Sequence, residues 1–115
     1  MKNFNLLPEF RKELKKLSRK YDALNSDLET FKQVLSSSPT GFGKNFIVIH
    51  STEVVKIVKA RMACRSLRNR SLRVIYAYVE HEEKIEFIEI YYKGNKENED
   101  LGRIKDYLKS VAGPD

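Results

Sequence analysis

Leu7, Phe10, Leu14, Leu17, Tyr21 and Leu24 recur at alternating spacings of three and four, while Arg11, Lys12, Lys15, Lys16, Arg19 and Lys20 fill the intervening positions. That period gathers the apolar side chains on one stripe of a helix and sends the cations to its outer face. Pro8 suits the first turn, where its missing N–H would be unsatisfied in any case and its φ is already helical. Asn25 and Ser26 interrupt the stripe. Ser26 with Glu29 has the spacing of a capping box, which predicts a second helix through about Leu35 with Leu28, Phe31 and Leu35 facing the core. Two helices on so short a link pack as a hairpin, and the hairpin must lay its apolar faces on another layer.

Helical periodicity ends in the loop Ser36–Gly43 (SSSPTGFG), and β-branched and aromatic residues gather beyond it. Phe46–Ile49, Val54–Met62, Leu72–Val79 and Lys84–Tyr92 read as strands, the last two joined by the hairpin-length connection Glu80, His81, Glu82, Glu83. Leu72–Val79 is apolar on both faces except at Arg73, so it belongs in the middle of the sheet. A charge on a face otherwise made of Ile75, Ala77 and Val79 is costly unless that end of the strand opens into a cleft, which makes Arg73 the first functional candidate. From Asn98 to Val111, the residues Leu101, Ile104, Leu108 and Val111 return to helical spacing. Glu99 and Asp100 stand near the start and Lys109 near the end, as the helix dipole favours, and Gly113 and Pro114 terminate the element. The pattern therefore predicts an α+β fold: an N-terminal helical hairpin packed on one face of a mainly antiparallel sheet of about four strands, with a C-terminal helix. Leu14, Leu17, Phe31 and Ile75 belong to the core, and the opposite face forms a shallow basic cleft.

Length and composition bound the rest. A chain of 115 residues supports one core and hence one domain, 1–115, with roughly 65% of the unfolded surface buried. At 41% hydrophobic and 33% charged, with five glycines and three prolines, it is neither disordered nor low in complexity. No apolar run approaches the ~18 residues of a membrane span. The first residues lack the apolar stretch of a signal peptide, so the expectation is a cytoplasmic protein with no membrane partner. Cys64 is a single cysteine, which excludes an internal disulfide and argues against a zinc site. The net charge of +6 is localised: between Val54 and Tyr76 stand Lys56, Lys59, Arg61, Arg65, Arg68, Arg70 and Arg73 without one acidic residue. The other 15 basic residues are set against 16 acidic ones. Such a strip fits a phosphate-bearing partner, and equally a solvated basic face or a docking site for an acidic protein.

His50 and His81 lie in polar connections without a carboxylate or cysteine at ligand spacing, so no metal site and no catalytic triad can be assembled. Glu97, Glu99 and Asp100 are clustered where they open a helix, and capping accounts for them. Gly41 and Gly43 lack the lysine and the preceding strand of a phosphate loop. Chemistry, if present, falls to lysines, arginines and tyrosines.

The element order and several of these residues resemble the RelE/ParE superfamily of type II toxin–antitoxin toxins, and within it the RelE-like messenger-RNA endonucleases. Lys56 and Ile57 are similar to the Lys-Ile that starts a strand in that family, and Arg73 in LRVIYAY to the arginine of its Tyr-Arg-Leu-Val-Tyr strand. Ile85–Tyr92 followed by Lys93, Gly94, Asn95 and Lys96 resembles its last strand and the basic segment after it. The resemblance implies an endoribonuclease that inhibits translation by cleaving mRNA, on the ribosome, without cofactor or metal, and that a cognate antitoxin protein neutralises. It implies Lys56, Arg73 and Tyr92 as catalytic residues, with Lys59, Arg61, Arg65, Arg68, Arg70, Lys93 and Lys96 on the RNA. The second lysine of the family pattern would fall at Val58, with Lys59 and Arg61 as displaced substitutes, which leaves the general base unassigned. The connection carrying Arg65, Arg68 and Arg70 is longer than the family's tight turn and offers an extra RNA-binding arm. A ParE-like toxin that poisons DNA gyrase, or a non-catalytic member that only binds RNA or antitoxin, shares the fold and the basic strip.

The implied reaction is physically coherent. The 2′-OH of RNA can attack its neighbouring phosphate given a base, an acid for the leaving 5′-oxygen and cations for the developing charge. Lys56 and Arg73 supply the cations in this reading. Tyr92, or Tyr91 on the opposite face, stacks on a base or donates a proton, since adjacent strand residues point to opposite sides.

Overall fold

A computed structural model describes residues 2–68 and 70–112. The chain runs β1 (Asn3–Leu6), α1 (Pro8–Ser18), α2 (Leu24–Ser37), β2 (Phe46–Ser51), β3 (Val55–Ala63), β4 (Ser71–Val79), β5 (Lys84–Tyr91) and α3 (Leu101–Ala112). The five strands form one sheet in the order β1-β5-β4-β3-β2, antiparallel except for the parallel pair β1–β5. The architecture is the expected α+β, with β4 at the centre of the sheet. It has one strand more than the sequence pattern predicts. The extra strand, NFNL, is too short to show a period of its own and exists because β5 offers it an edge, with Phe4 stacked on Phe87 at 6.1 Å.

One face of the sheet is covered by α1 and α2. Phe10, Leu24, Leu28, Phe31 and Leu35 pack against Val58, Val74, Tyr76, Phe87 and Ile90, and Leu14 and Leu17 lie half-buried beside them. The break between the helices falls at residues 19–23, before the position that the capping-box spacing predicts. Ser26 thus lies inside α2, with its carbonyl accepting from the Thr30 hydroxyl. Burial explains the difference: Leu24 is fully buried and opens the stripe completed by Leu28, Phe31 and Leu35. The β3–β4 connection holds the start of α2. Buried Asp27 accepts from the Arg65 backbone N–H at 2.9 Å and from Arg65 Nε at 2.7 Å.

The shallow basic cleft expected on the opposite face is confined to one end of that face. α3 lies across its middle, burying Ile104 and Tyr107 against Ile57, Ile75, Ala77 and Ile88. A bulge in β5 makes this possible. The β4–β5 register shifts between Ile75 and Tyr76, so Glu89 stands opposite Ile75 while Phe87 stands opposite Tyr76. Without the bulge, alternation would send Glu86 and Glu89 to different faces; with it, both meet α3. Glu86 accepts from the Tyr107 hydroxyl at 2.7 Å and from Asn5 Nδ2 at 2.9 Å. Glu89, 0% exposed, accepts from Lys96 and from the Asp100 backbone N–H at 2.8 Å.

Past Leu6, where β1 ends, side chains take over the edge of β5: Arg103 donates to the Ile88 carbonyl, and Glu13 accepts from the Ile90 N–H at 3.3 Å. Arg103 and Glu13 also pair with each other at 2.6 Å. Asp100 caps α3 by accepting from the Arg103 N–H at 3.2 Å. The expected terminators Gly113 and Pro114 lie outside the described residues. No described helix is long and apolar enough to cross a membrane.

Candidate nucleic-acid interface

Where α3 no longer covers the sheet, the same face becomes cationic. Strand geometry dictates this: Lys59 and Arg61 alternate with Val58, Ala60 and Met62 on β3, so the apolar residues enter the core under α1 and α2 and the cations face out. In the β3–β4 ladder Lys59 stands opposite Ile75 and Arg61 directly opposite Arg73, and across β4 Arg73 stands opposite Tyr91. Lys44, carried by the tight helical turn Gly43–Asn45, and Lys93, just beyond β5, close the rim. The result is a shallow concavity of about 130 Å³ lined by Lys44, Asn45, Ile47, Lys59, Ala60, Arg61, Arg73 and Lys93, with no carboxylate among the described residues of the lining.

The pairing of these charges is uneven. Among the described residues Lys44, Arg61, Arg73 and Lys93 form no ion pair, whereas Lys59 binds Glu99 at 2.8 Å. The hydrogen bond to Glu99 holds the Lys59 ammonium above the ordinary lysine range and keeps the Glu99 carboxyl below the glutamate range. Arg73 is half-buried and donates to Ser71 Oγ at 3.1 Å. Glu89, the carboxylate that could have neutralised it, is committed to Lys96 and α3. Two arginines directly opposite on neighbouring strands repel each other, and a phosphate placed between them would relieve that repulsion.

The sequence-derived candidates divide into three groups. Arg73, Lys59, Arg61 and Lys93 are brought together. Lys56 is not: it lies opposite Tyr78 near the start of β3, on the face of α1 and α2, and five residues from Arg61, roughly 17 Å along an extended strand. Tyr92 also leaves the group, half-buried against the α1–α2 core with its hydroxyl accepting from Arg70 Nη1 at 2.6 Å. Tyr91 takes the cationic face instead. It is buried, its hydroxyl lacks a hydrogen-bond partner among the described residues, and burial raises its pKa while nearby Lys59 opposes the rise.

The third group supports the fold. Arg65 fastens α2 through Asp27, and Lys96 neutralises Glu89 with its ammonium 5.5 Å from the Tyr91 ring centre. Arg68 is exposed at φ +57 in the β3–β4 connection. His50 and His81 are exposed, and among the described residues no cluster of His, Cys, Asp and Glu is placed to hold a metal. Lys44 escaped the sequence reading because it belongs to a loop without periodicity. The separation of Lys56 from Lys59 was legible, since three residues along a regular strand means opposite faces.

Glu99 competes with any anion for Lys59. Glu99→Gln is therefore expected to tighten binding of a single-stranded RNA and to steepen its salt dependence by about 0.7 in log–log slope, one extra phosphate contact. Unchanged affinity in a folded variant would remove Lys59 from the interface. The pair also stabilises the fold within a pH window. Glu99, with its pKa lowered on folding, contributes fully above about pH 4.5 and loses the contribution as pH falls through its folded value. Lys59, with its pKa raised, contributes fully below about pH 10.5 and loses it as pH climbs through its folded value. Melting curves of the wild type and Glu99→Gln should differ between those limits and converge in acid.

No protein-family model matches this chain, and no curated protein matches it in sequence. Its fold is similar to that of archaeal RelE in the crystal structure of the archaeal RelE-RelB complex from Pyrococcus horikoshii OT3. The TM-score is 0.65 over 81% of this chain and 96% of that one, at 19% sequence identity.

Proposed function

We propose that this RelE-like fold serves as a toxin that cleaves messenger RNA, with the concavity around Arg61 and Arg73 as its active centre. The observation that carries the reading is that cross-strand arginine pair, unneutralised among the described residues and flanked by Lys44, Lys59 and Lys93. A fold selected for stability alone would not place like charges opposite each other at the end of its central strand. In the reaction the 2′-oxygen bonds to phosphorus as the P–O5′ bond breaks, leaving a 2′,3′-cyclic phosphate and a 5′-hydroxyl. Arg61 and Arg73 stabilise the charge on the phosphorane oxygens, and the Lys59 ammonium donates the proton to the 5′-oxygen. The 2′-hydroxyl proton passes to solvent. Lys44 and Lys93 hold the flanking phosphates.

The antitoxin of this reading is an acidic protein that covers the same cations, and the structural neighbour is itself in complex with a second protein, RelB. Expression of the chain without an antitoxin, followed by mapping of messenger-RNA ends on ribosomes, tests the proposal. Growth arrest with new 5′-hydroxyl ends inside reading frames is the expected result. Arrest with intact messages and inhibited DNA gyrase would transfer the chain to the ParE-like reading, and RNA binding without any cleavage to the non-catalytic one.

A further inference from the structure

Beside the cationic concavity lies a second, larger one of about 450 Å³, between α2 and the paired strands β2 and β3. The two share Arg61 and Asn45. The walls of the second are mostly apolar, with Phe31, Phe46 and Met62, its lone carboxylate among the described residues, Asp27, is neutralised by Arg65 at 2.7 Å, and Phe42 stands at its mouth 67% exposed. Phe46 stacks on Phe31 with ring centres 6.0 Å apart and planes 1° from parallel, and the Phe42 ring is tilted against Phe46 at 6.0 Å. The glycines on either side of Phe42 make this possible. Both have left-handed φ, +74° at Gly41 and +73° at Gly43, and a β-carbon on Gly41 would stand 2.0 Å from Cγ of Phe46. The loop therefore lies directly on the Phe46 ring, with the face of Phe42 left to solvent.

A single exposed phenylalanine is ordinary. This one caps an aromatic groove whose rim carries Arg61, unpaired among the described residues, and the groove shares Arg61 and Asn45 with the proposed phosphate site. Charge complementarity favours a polyanion with flat apolar appendages over an uncharged peptide, and single-stranded RNA has that composition. We propose that the groove is a nucleobase subsite: the phosphate meets Arg61 in the cationic concavity, and the attached base leaves its own stack to lie against Phe42, with the Asn45 amide at its polar edge. The inference rests on the RNA reading of the cationic concavity and adds to it the recognition of a base.

The test measures fluorescence anisotropy with two probes, a short single-stranded RNA and an abasic oligomer of the same length and charge. Phe42→Ala should weaken binding of the RNA by about 5- to 150-fold, the range for losing one base–aromatic stack. It should leave binding of the abasic oligomer, and the salt slope of both, as in the wild type, because no phosphate contact is lost. Phe42→Trp should retain RNA affinity and Phe42→Leu should lose it, since leucine keeps apolar area without a π face. Because Phe42 is exposed, the variants are expected to melt with the wild type. RNA binding by Phe42→Ala equal to the wild type overturns the subsite while the phosphate reading stands. Full RNA affinity in Phe42→Leu also overturns it, in favour of a groove that takes an apolar protein segment. A wild type that binds neither probe overturns the subsite and the RNA reading together.

Discussion

Arg73→Ala is expected to lower messenger-RNA cleavage by about 10²- to 10³-fold, the usual loss on removing one preorganised charge donor, while the protein melts as the wild type does. The two halves of this outcome have separate causes. Activity falls because Arg73 stands directly across from Arg61 and beside the other cations of the concavity. Stability holds because, among the described residues, no carboxylate pairs with Arg73. Its side-chain bond to Ser71 Oγ spans only two positions, and Glu89 is already satisfied by Lys96 and by the Asp100 N–H. Removing one of two opposed arginines also relieves a repulsion of about 0.2–1 kcal/mol. Lys56→Ala serves as the control: on the other face and near the far end of β3, it should leave cleavage unchanged. A folded Arg73→Ala protein with full activity would end the catalytic assignment. An inactive one that has lost its melting transition would make Arg73 a residue of the fold.

A clear loss of stability is expected at Arg103. Its guanidinium pairs with Glu13 at 2.6 Å, approaches buried Glu89 at 3.9 Å and donates to the Ile88 carbonyl, so a single side chain joins α1, α3 and the open edge of β5. Burial works against its charge, but Glu13, Glu89 and Asp100 together outweigh burial and hold the guanidinium protonated. Arg103→Ala leaves Glu13 without its ion-pair partner and a strand carbonyl without a donor, while Glu89 keeps Lys96 and the Asp100 N–H. The pair is part-buried, at 20% and 28% exposed, so the cost falls below that of breaking a fully buried pair, at about 2–3 kcal/mol. For a chain of this size that lowers the melting temperature by roughly 10 °C. Lys12→Ala, which removes only an exposed pair with Glu9, should cost less than about 0.5 kcal/mol. Urea unfolding of both variants decides the matter, and an Arg103→Ala midpoint within experimental error of the wild type would refute the network. Loosening α3 should also free the segment carrying Glu99, so this variant is predicted to bind RNA more tightly whenever it remains folded.

How far the chain could be read without its structure follows from how far each signal reaches. Helical and alternating periods are local, because a side chain's direction is set by the few residues around it. They located α1, the body of α2, α3 and four of the five strands, and they picked out β4 as central through its two apolar faces. The charge strip is local too, and it marked Lys59, Arg61 and Arg73. Three things were not local. β1 is a four-residue strand that forms only because β5 presents an edge. The bulge in β5 turns Glu86 and Glu89 to one face, where α3 offers partners, and this confines the shallow basic cleft expected from the sequence to the end of a half-covered face. The composition of that end was decided by strand register: it set Arg61 against Arg73, drew in Lys44 and Lys93 from loops, and left Lys56 and Tyr92 on the other side. Register is set by the sum of all the apolar side chains that must enter one core together, and no window of sequence contains that sum.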